Sequence, residues 1–143
     1  MLKNRMTRAL LAGFSALAMA AAVVPQAQAA EKIKIGLLED ISGDLASMGL
    51  PKLHGSQLAV DEINAKGGIM GRQIELIHLD PQGDNARYQE FTRRLLSKDK
   101  VDLLIGGITS ASREAVRPIV DRTQTPYFYT NQYEGGVCDA NMI

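Results

Sequence analysis

Residues 61–76 read DEINAKGGIMGRQIEL, in which three glycines stand within five positions. The residues before the glycines follow a helical spacing and those after them a strand-like spacing. The segment therefore predicts a helix over residues 51–66 with Pro51 in its first turn, then a tight turn, then a strand over residues 73–79. Gly67 is a natural residue for the left-handed conformation that ends a helix. The side chains predicted to face inward from this helix are Leu53, Ser56, Val60 and Ile63.

A glycine-rich turn can bind phosphate where it joins the carboxyl end of a strand to the amino end of a helix. Residues 67–71 run in the opposite sense, because they leave a helix and lead into a strand. The negative end of the helix dipole would face this turn, which disfavours an anion. We therefore interpret these glycines as structural, forming a helix cap and a tight return.

The same alternation continues outward from this segment in both directions. Strand-like runs cover residues 33–38, 101–106 and 126–130, and helical patterns begin at Asp84 or Asn85 and after residue 107. The order β-α-β-α-β-α-β with short connections predicts an α/β fold, a parallel sheet with flanking helices and right-handed crossovers. The inward side chains expected from the two later helices are Tyr88, Phe91, Leu95, Ala115, Val116, Ile119 and Val120.

Residues 1–29 have the pattern of a cleaved secretory signal peptide. A basic start is followed by the uncharged residues 9–24 and by small residues up to Ala29, where cleavage is expected. The alternative is a membrane anchor, but this uncharged run is shorter than the roughly 20 residues needed to span a bilayer. The mature protein, residues 30–143, is therefore expected in the periplasm or outside the cell.

The composition argues against several classes of function. The chain has 16 basic and 16 acidic residues, and the signal region carries basic residues only, so the mature chain is mildly acidic. This disfavours nucleic acid and anionic membranes as partners. Cys138 is the single cysteine, so no internal disulfide can form within the chain. His54 and His78 have neither metal-binding nor catalytic spacing, and we predict no metal, no cofactor and no enzymatic activity.

In an open parallel sheet, ligands bind beyond the carboxyl ends of the strands. Residues 39–50, 106–112 and 130–136 are predicted to meet there. The second segment offers Thr109, Ser110 and Ser112 hydroxyls and free N–H groups at a helix start, which suit a carboxylate or carbonyl oxygen. The alternative is that Thr109 or Ser110 only caps this helix. Around the fourth strand's end stand the polar and aromatic residues Tyr129, Asn131, Gln132, Tyr133 and Glu134.

The stretches IKIGLLEDISGDLASMG, LAVDEINAKGGIMGRQIEL and LLIGGITSASREAVRPI resemble the N-terminal part of the periplasmic type I solute-binding proteins, in the leucine/isoleucine/valine- and amide-binding family. YFYTNQYEGG most resembles the amide- and urea-binding branch. The resemblance covers residues 31–143. It implies two α/β lobes that close over a small polar ligand and deliver it to an inner-membrane ABC permease, with this chain forming the first part of the first lobe.

The resemblance also implies a set of ligand-binding positions. Ser110 and the following backbone N–H, that of Ala111, would hold the carboxylate or amide oxygen of the ligand. Two positions after the fourth strand and one in the first loop match positions that touch the ligand in the family. The implied ligand-binding residues are Ser110, Ala111, Tyr129, Asn131, Thr109 and Met48.

Two features depart from the family pattern. The leucine-binding branch often links two loops by a disulfide where this chain has Gly83 and Thr109, which favours an amide or urea ligand or a divergent specificity. Family members are also nearly three times as long, so the chain is expected to be a fragment or the product of a truncated reading frame that ends where a fifth strand would begin. Its third and fourth strands would then lack neighbours, and we expect marginal folding.

Two other functions remain open from the residues. Some amide-binding relatives are cytoplasmic ligand-sensing regulators, although the signal-peptide pattern argues against that role here. An enzyme on a nucleotide-binding α/β domain would need a glycine-rich turn after the first strand. The corresponding stretch, EDISGDLASMG, has only Gly43 and Gly49, six positions apart.

Overall fold

A computed structural model of the chain describes residues 31–136 and 139–143. The predicted signal peptide and Cys138 lie outside the described residues. None of the helices within those ranges is both long and apolar enough to cross a membrane. The elements are β1 Ile33–Leu38, α1 Ala46–Ala65, β2 Ile74–Leu79, α2 Asn85–Arg94, a π-helical turn Leu95–Asp99, β3 Leu103–Gly106, α3 Ser110–Thr123 and β4 Tyr127–Tyr129.

The strands form a parallel sheet in the order β2-β1-β3-β4, which confirms the predicted α/β fold. Leu38 is opposite both Leu79 and Gly106, and Gly106 is opposite Tyr129, so the four strands end at a common edge. We call this edge, with the segments that follow the strands, the carboxyl edge. After β1 the chain adds β2 on one side of it, and then crosses over to add β3 and β4 on the other side. A crevice suited to ligands is expected where the order changes, between the carboxyl ends of β1 and β3.

One hydrophobic core joins the sheet to α2 and α3. The predicted inward residues of these helices are buried or half-buried, so the periodicity interpretation is confirmed. On α1, Val60 is buried and the other three predicted positions are half-buried. The buried core residues are Leu38, Tyr88, Leu95, Val101, Leu104, Ala115, Val116, Val120, Tyr127 and Met142.

The start of α1 differs from the prediction. The helix begins at Ala46, so Pro51 lies inside it rather than in its first turn. Gly43, with φ of 72°, forms a turn that the N–H of Ala46 closes by donating to the Gly43 carbonyl at 3.2 Å. The chain therefore enters the helix five residues earlier than the proline signal indicates, and Met48 becomes a helical residue.

The glycine-rich segment forms the predicted cap and tight return. Gly67 and Gly68 have φ of 98° and 79° directly after α1. Ile69 and Arg72 exchange two backbone hydrogen bonds of 2.9 Å around Met70 and Gly71, which both have positive φ. This is the geometry of a two-residue hairpin turn, and it lies at the opposite end of the sheet from the carboxyl edge.

The expectation that the third strand lacks a neighbour is wrong, because β3 pairs with β1 and with β4. The outer edge of β4 is also partly covered. Tyr127 N–H donates to Asn141 O at 2.8 Å, Tyr129 N–H to Ile143 O at 2.9 Å, and Ile143 N–H to Tyr127 O at 3.0 Å. Residues 141–143 thus add a short parallel segment beside β4, where the sequence predicts a fifth strand.

Candidate functional site

Thr109 is the residue that caps α3. Its hydroxyl oxygen accepts a hydrogen bond from Ser112 N–H at 3.1 Å, and the Ser112 hydroxyl oxygen accepts one from Thr109 N–H at 3.2 Å. The two residues form a capping box. Of the two alternatives for this turn, capping is therefore the one that the geometry shows for Thr109, and a ligand-binding role for it stays a prediction.

Ser110, the first residue of α3, is in a different situation. It is half-buried, and its hydroxyl makes no hydrogen bond within the described ranges. Ala111 beside it is exposed. The first backbone N–H groups of a helix have no partner inside the helix, and they carry the positive end of its dipole. Ser110 and Ala111 therefore present a hydroxyl and helix N–H groups that can receive a carboxylate or carbonyl oxygen.

Asn131 ties the segment after β4 to the turn after β3. Its side-chain amide nitrogen donates to Ile108 O at 2.5 Å. Tyr129 is half-buried, donates to Gln132 O at 3.2 Å and meets the Tyr133 ring edge-on, with 6.4 Å between ring centres. The Asn131 amide thus joins the segment after β4 to the turn that leads to Thr109 and Ser110. A ligand-binding role for Tyr129 and Asn131 stays a prediction.

Met48 lies in the first turn of α1 and is 47 % exposed. Lys52 stands one helical turn later on the same face, and its ammonium group donates to Gly107 O at 2.9 Å. The face of α1 that carries Met48 therefore borders the turn after β3. A ligand-binding role for Met48 stays a prediction.

Sequence reasoning missed the ion pair at the centre of this edge. Glu39 directly follows β1 and is 1 % exposed, and its Oε1 lies 3.2 Å from Nζ of Lys52. The Thr130 hydroxyl donates to the same oxygen at 3.3 Å. Burial raises the pKa of Glu39 to about 7, although the charge and hydrogen bond of Lys52 act to lower it. The available signal was a pair of acidic residues, Glu39 and Asp40, directly after an apolar strand.

The other acidic groups at this edge hold loops in place. Asp40 is fully buried; its carboxylate accepts hydrogen bonds from Gly83 N–H at 2.8 Å and from the Tyr88 hydroxyl at 2.9 Å. Asp80 accepts from the Ser42 hydroxyl at 2.6 Å. Burial opposes ionisation of Asp80, but the hydrogen bonds from Ser42 and from backbone N–H groups hold its pKa below the usual value. The loops after β1 and β2 are therefore firmly joined.

A cluster on α3 supports the aromatic segment after β4. The guanidinium carbon of Arg113 lies 3.6 Å from the centre of the Tyr133 ring, a cation–π contact. The Tyr133 hydroxyl donates to Glu114 at 2.7 Å, and Glu114 also pairs with Arg117 at 2.7 Å. The segment is thus packed against α3 rather than left free over the edge.

The histidines have no catalytic or metal-binding arrangement. His54 is exposed on α1, and Nε2 of His78 lies 2.8 Å from the backbone carbonyl oxygen of Glu39. Over the ranges 31–136 and 139–143, no group of three or more His, Cys, Asp or Glu side chains is arranged to hold a metal ion.

A cavity of about 560 Å³ lies away from the carboxyl edge, where α3 and the π-helical turn end. Arg93 and Arg122 line it, near the ends of helices where basic residues complement the dipole. This explanation accounts for both arginines without a ligand. The carboxyl edge, with helix N–H groups that have no partner among the described residues and with a buried ion pair, is the better candidate site.

A family model and individual related proteins match the sequence of this chain, and they agree on the kind of protein. The family described as "Periplasmic binding protein" matches residues 32–143. The Leu/Ile/Val-binding protein homolog 7 of Brucella melitensis is 37 % identical over 127 residues, which cover 89 % of this chain and 32 % of that protein.

Two solved structures illustrate the same relationship. The branched-chain amino acid transporter substrate binding protein LivJ from Streptococcus pneumoniae, in complex with isoleucine, is 36 % identical with a TM-score of 0.70, over 73 % of this chain and 30 % of that one. A solute binding protein of an ABC transporter from R. palustris, in complex with benzoate, is 29 % identical with a TM-score of 0.63, over 70 % of this chain and 27 % of that one. The chain spans about a third of the length of the relatives it matches.

Proposed function

The chain belongs to the periplasmic binding protein family, a family of solute-binding proteins and not of enzymes, and from this we propose that it is part of the solute-binding component of an ABC importer. In this proposal the carboxyl edge forms one wall of a ligand site in the first lobe. Because the chain spans about a third of its relatives, the second wall and the contact with the permease belong to the complete two-lobed protein.

The observation that carries the proposal is the arrangement at the start of α3. Ser110 and Ala111 offer a hydroxyl and helix N–H groups that have no partner among the described residues. The half-buried ring of Tyr129 lies against Gly107 in the turn that leads to them, where an added Cβ would be 3.0 Å from two ring atoms. Such a seat accepts an anionic or carbonyl oxygen through several donors at once. Asn131 and Lys52 hold the turn that carries it.

The ligand class that we favour is a small amino acid or other small carboxylate. The two structural relatives described above were solved with isoleucine and with benzoate, and both molecules carry a carboxylate. Short amides and urea are the alternative, because the stretch YFYTNQYEGG resembles the amide- and urea-binding branch. All of these ligands present an oxygen acceptor to the seat at Ser110.

We further propose that the protein acts in the periplasm after export. The basic and apolar pattern of residues 1–29 supports this, together with membership of the family. An exported product would begin at Ala30, and intact-mass measurement of a periplasmic extract would check this. A product that retains Met1 would contradict the signal-peptide part of the proposal.

The proposal is tested by substituting the two neighbouring hydroxyls. Ser110→Ala removes a donor to a polar ligand group and should weaken binding by about ten- to a hundred-fold, because a hydrogen bond to a charged group contributes about 1.5–3 kcal/mol. Thr109→Ala removes the helix cap and should lower the free energy of unfolding by about 1 kcal/mol.

The measurement is titration of each variant, made in a chain completed with a family-like second lobe, with L-isoleucine, acetamide and urea, followed by chemical denaturation. His54→Ala is the matched control, since its side chain is exposed on α1, and it should change neither quantity. If Ser110→Ala lowers the stability but not the affinity, the ligand-binding site does not include the Ser110 hydroxyl.

A further inference from the structure

Lys52 occupies the crevice between the carboxyl ends of β1 and β3. Its ammonium nitrogen lies 3.2 Å from Oε1 of Glu39 and donates to Gly107 O at 2.9 Å. An ammonium group has three N–H donors, so one remains available after these two contacts. The side chain is 24 % exposed, and it reaches the turn that leads to Ser110. A cation with a spare donor therefore borders the proposed ligand seat.

Only one of the two carboxyl oxygens of Glu39 has hydrogen-bond partners among the described residues. Lys52 and Thr130 both contact Oε1, whereas Oε2 is buried and has no hydrogen-bond partner among the described residues. A buried carboxylate oxygen without a partner is destabilising, and buried polar groups with a purely structural role are nearly always paired. Asp40, the next residue, shows this contrast, since both of its carboxylate oxygens accept hydrogen bonds.

We propose that Lys52 binds the ligand through its remaining hydrogen, with Glu39 as a counter-charge that gains a proton when an anionic ligand arrives, so that the site prefers carboxylates over neutral amides. This inference rests on the proposed function, because it concerns the same site. It adds a residue, Lys52, and a selectivity that the contacts of Ser110 alone do not provide.

The charge balance gives the direction of the pH dependence. Burial raises the pKa of Glu39 to about 7, so near neutral pH the group is partly protonated. A ligand carboxylate beside Lys52 places a second negative charge near Glu39, and this raises its pKa further. Binding then takes up a proton, and affinity for a carboxylate must fall as the pH rises above 7. The other titratable groups that face Glu39 are Asp40, Lys52, His78, Tyr88, Tyr127 and Tyr129.

The first test compares a ligand carboxylate with an uncharged carboxamide in its place, since the amino group is protonated in both probes at pH 6.5. L-Isoleucine and L-isoleucinamide are titrated at that pH into the chain completed with a family-like second lobe, while backbone amide NMR shifts are followed. Lys52→Met should lower the affinity for L-isoleucine by tenfold or more and change the affinity for L-isoleucinamide by less than about threefold. An equal loss of affinity for both probes would mean that Lys52 only positions the Gly107 turn. Unchanged affinity for both probes would mean that Lys52 does not contact the ligand. Either result overturns the inference.

Lys52→Met leaves Glu39 buried without its cation, so a second pair of variants keeps the test independent of folding. In the unmodified protein, affinity for L-isoleucine should fall several-fold between pH 6 and pH 8. Glu39→Gln, which keeps the acceptor for Lys52, should abolish this fall. His78→Gln should preserve it, and this control is needed because Nε2 of His78 lies 2.8 Å from the backbone carbonyl oxygen of Glu39. A fall that survives in Glu39→Gln overturns the inference.

The two proposals fail in different ways. If L-isoleucine shifts the amides of the carboxyl edge but the Lys52 and Glu39 variants behave like the unmodified protein, only the further inference is lost. If neither probe shifts any amide at that edge, the proposed function is lost and the inference with it.

Discussion

At the level of single residues, Glu39 links the position of a side chain to the response of the molecule to pH. Its pKa in the folded protein, about 7, is above the ordinary value of 4.5. A raised folded pKa contributes stability that is fully present below the unfolded pKa and is lost as the pH rises through the folded pKa. The contribution of Glu39 is therefore lost between about pH 4.5 and pH 7.

Glu39→Gln should thus leave the free energy of unfolding nearly unchanged at pH 4.5 and raise it at pH 8 by up to about 3 kcal/mol. Each unit of pKa difference corresponds to about 1.4 kcal/mol. Denaturation with urea at the two pH values measures this difference. Glu75→Gln is the control for replacing a glutamate by glutamine at an accessible position, because Glu75 lies on β2 with 40 % of its side chain exposed. A Glu39→Gln variant less stable than its parent at pH 8 would contradict the account.

Residues also show where sequence reasoning succeeds and where it stops. The position of Ser110 at the start of a helix could be predicted, because a hydroxyl between a strand and a helix is a local pattern, while its role in ligand binding stays a prediction. The Glu39–Lys52 pair could not, because its members are 13 positions apart on different elements and meet only when α1 packs against the carboxyl edge. The hydrogen bond from Asn131 to Ile108 was missed for the same reason.

At the level of elements, the turn after α1 depends on backbone conformations that side chains disfavour. A Cβ atom at Gly68 would lie 2.0 Å from the Arg72 carbonyl oxygen, and the residue has φ of 79°. Gly68→Ala should therefore lower the free energy of unfolding by about 2 kcal/mol or more, since the left-handed conformation alone costs an L-residue about 1–2 kcal/mol.

Gly55→Ala is the matched control for this substitution. Gly55 lies inside α1, where a Cβ would meet no atom within 4 Å. Replacing a helical glycine by alanine in open space should stabilise the protein by about 0.5–1 kcal/mol. Thermal or urea denaturation of the two variants checks the contrast, and equal effects would mean that the turn is wrongly described.

Element type and order follow from hydrophobic spacing, but one boundary does not. The pattern around Pro51 predicts a helix start that the structure places five residues earlier. The earlier start depends on the Gly43 turn and on the packing of Gly49 against Asp40, where an added Cβ would lie 1.9 Å from the Asp40 carbonyl oxygen. Such close packing of a helix on a loop is a tertiary contact, and periodicity along the chain does not report it.

At the level of the whole molecule, the last residues complete the core as well as the sheet. Met142 is 7 % exposed and belongs to the same core as α2 and α3, whereas Ile143 is 75 % exposed. Met142→Ala should lower the free energy of unfolding by about 2–3 kcal/mol, because it leaves a cavity in a packed core. Ile143→Ala should change it by less than about 0.5 kcal/mol.

Urea denaturation with sedimentation analysis of both variants would measure this, and it would also show whether loosening residues 141–143 frees the edge of β4 for association. Equal stability of the two variants would mean that this segment does not join the core. The expectation of marginal folding for the chain stays a prediction, which a sharp, cooperative transition of the monomer would contradict.

The central claim is that the carboxyl edge, and not the glycine-rich turn at the other end of the sheet, receives a small polar solute. A site-resolved NMR titration of the backbone amides, made in the chain completed with a family-like second lobe, with L-isoleucine, acetamide and urea tests this most directly. The account predicts saturable shifts for at least one solute, concentrated at residues 106–112 and 129–133, with the amides of residues 67–72 unchanged. Shifts concentrated at residues 67–72, or none for any of the three solutes at saturating concentration, would contradict it.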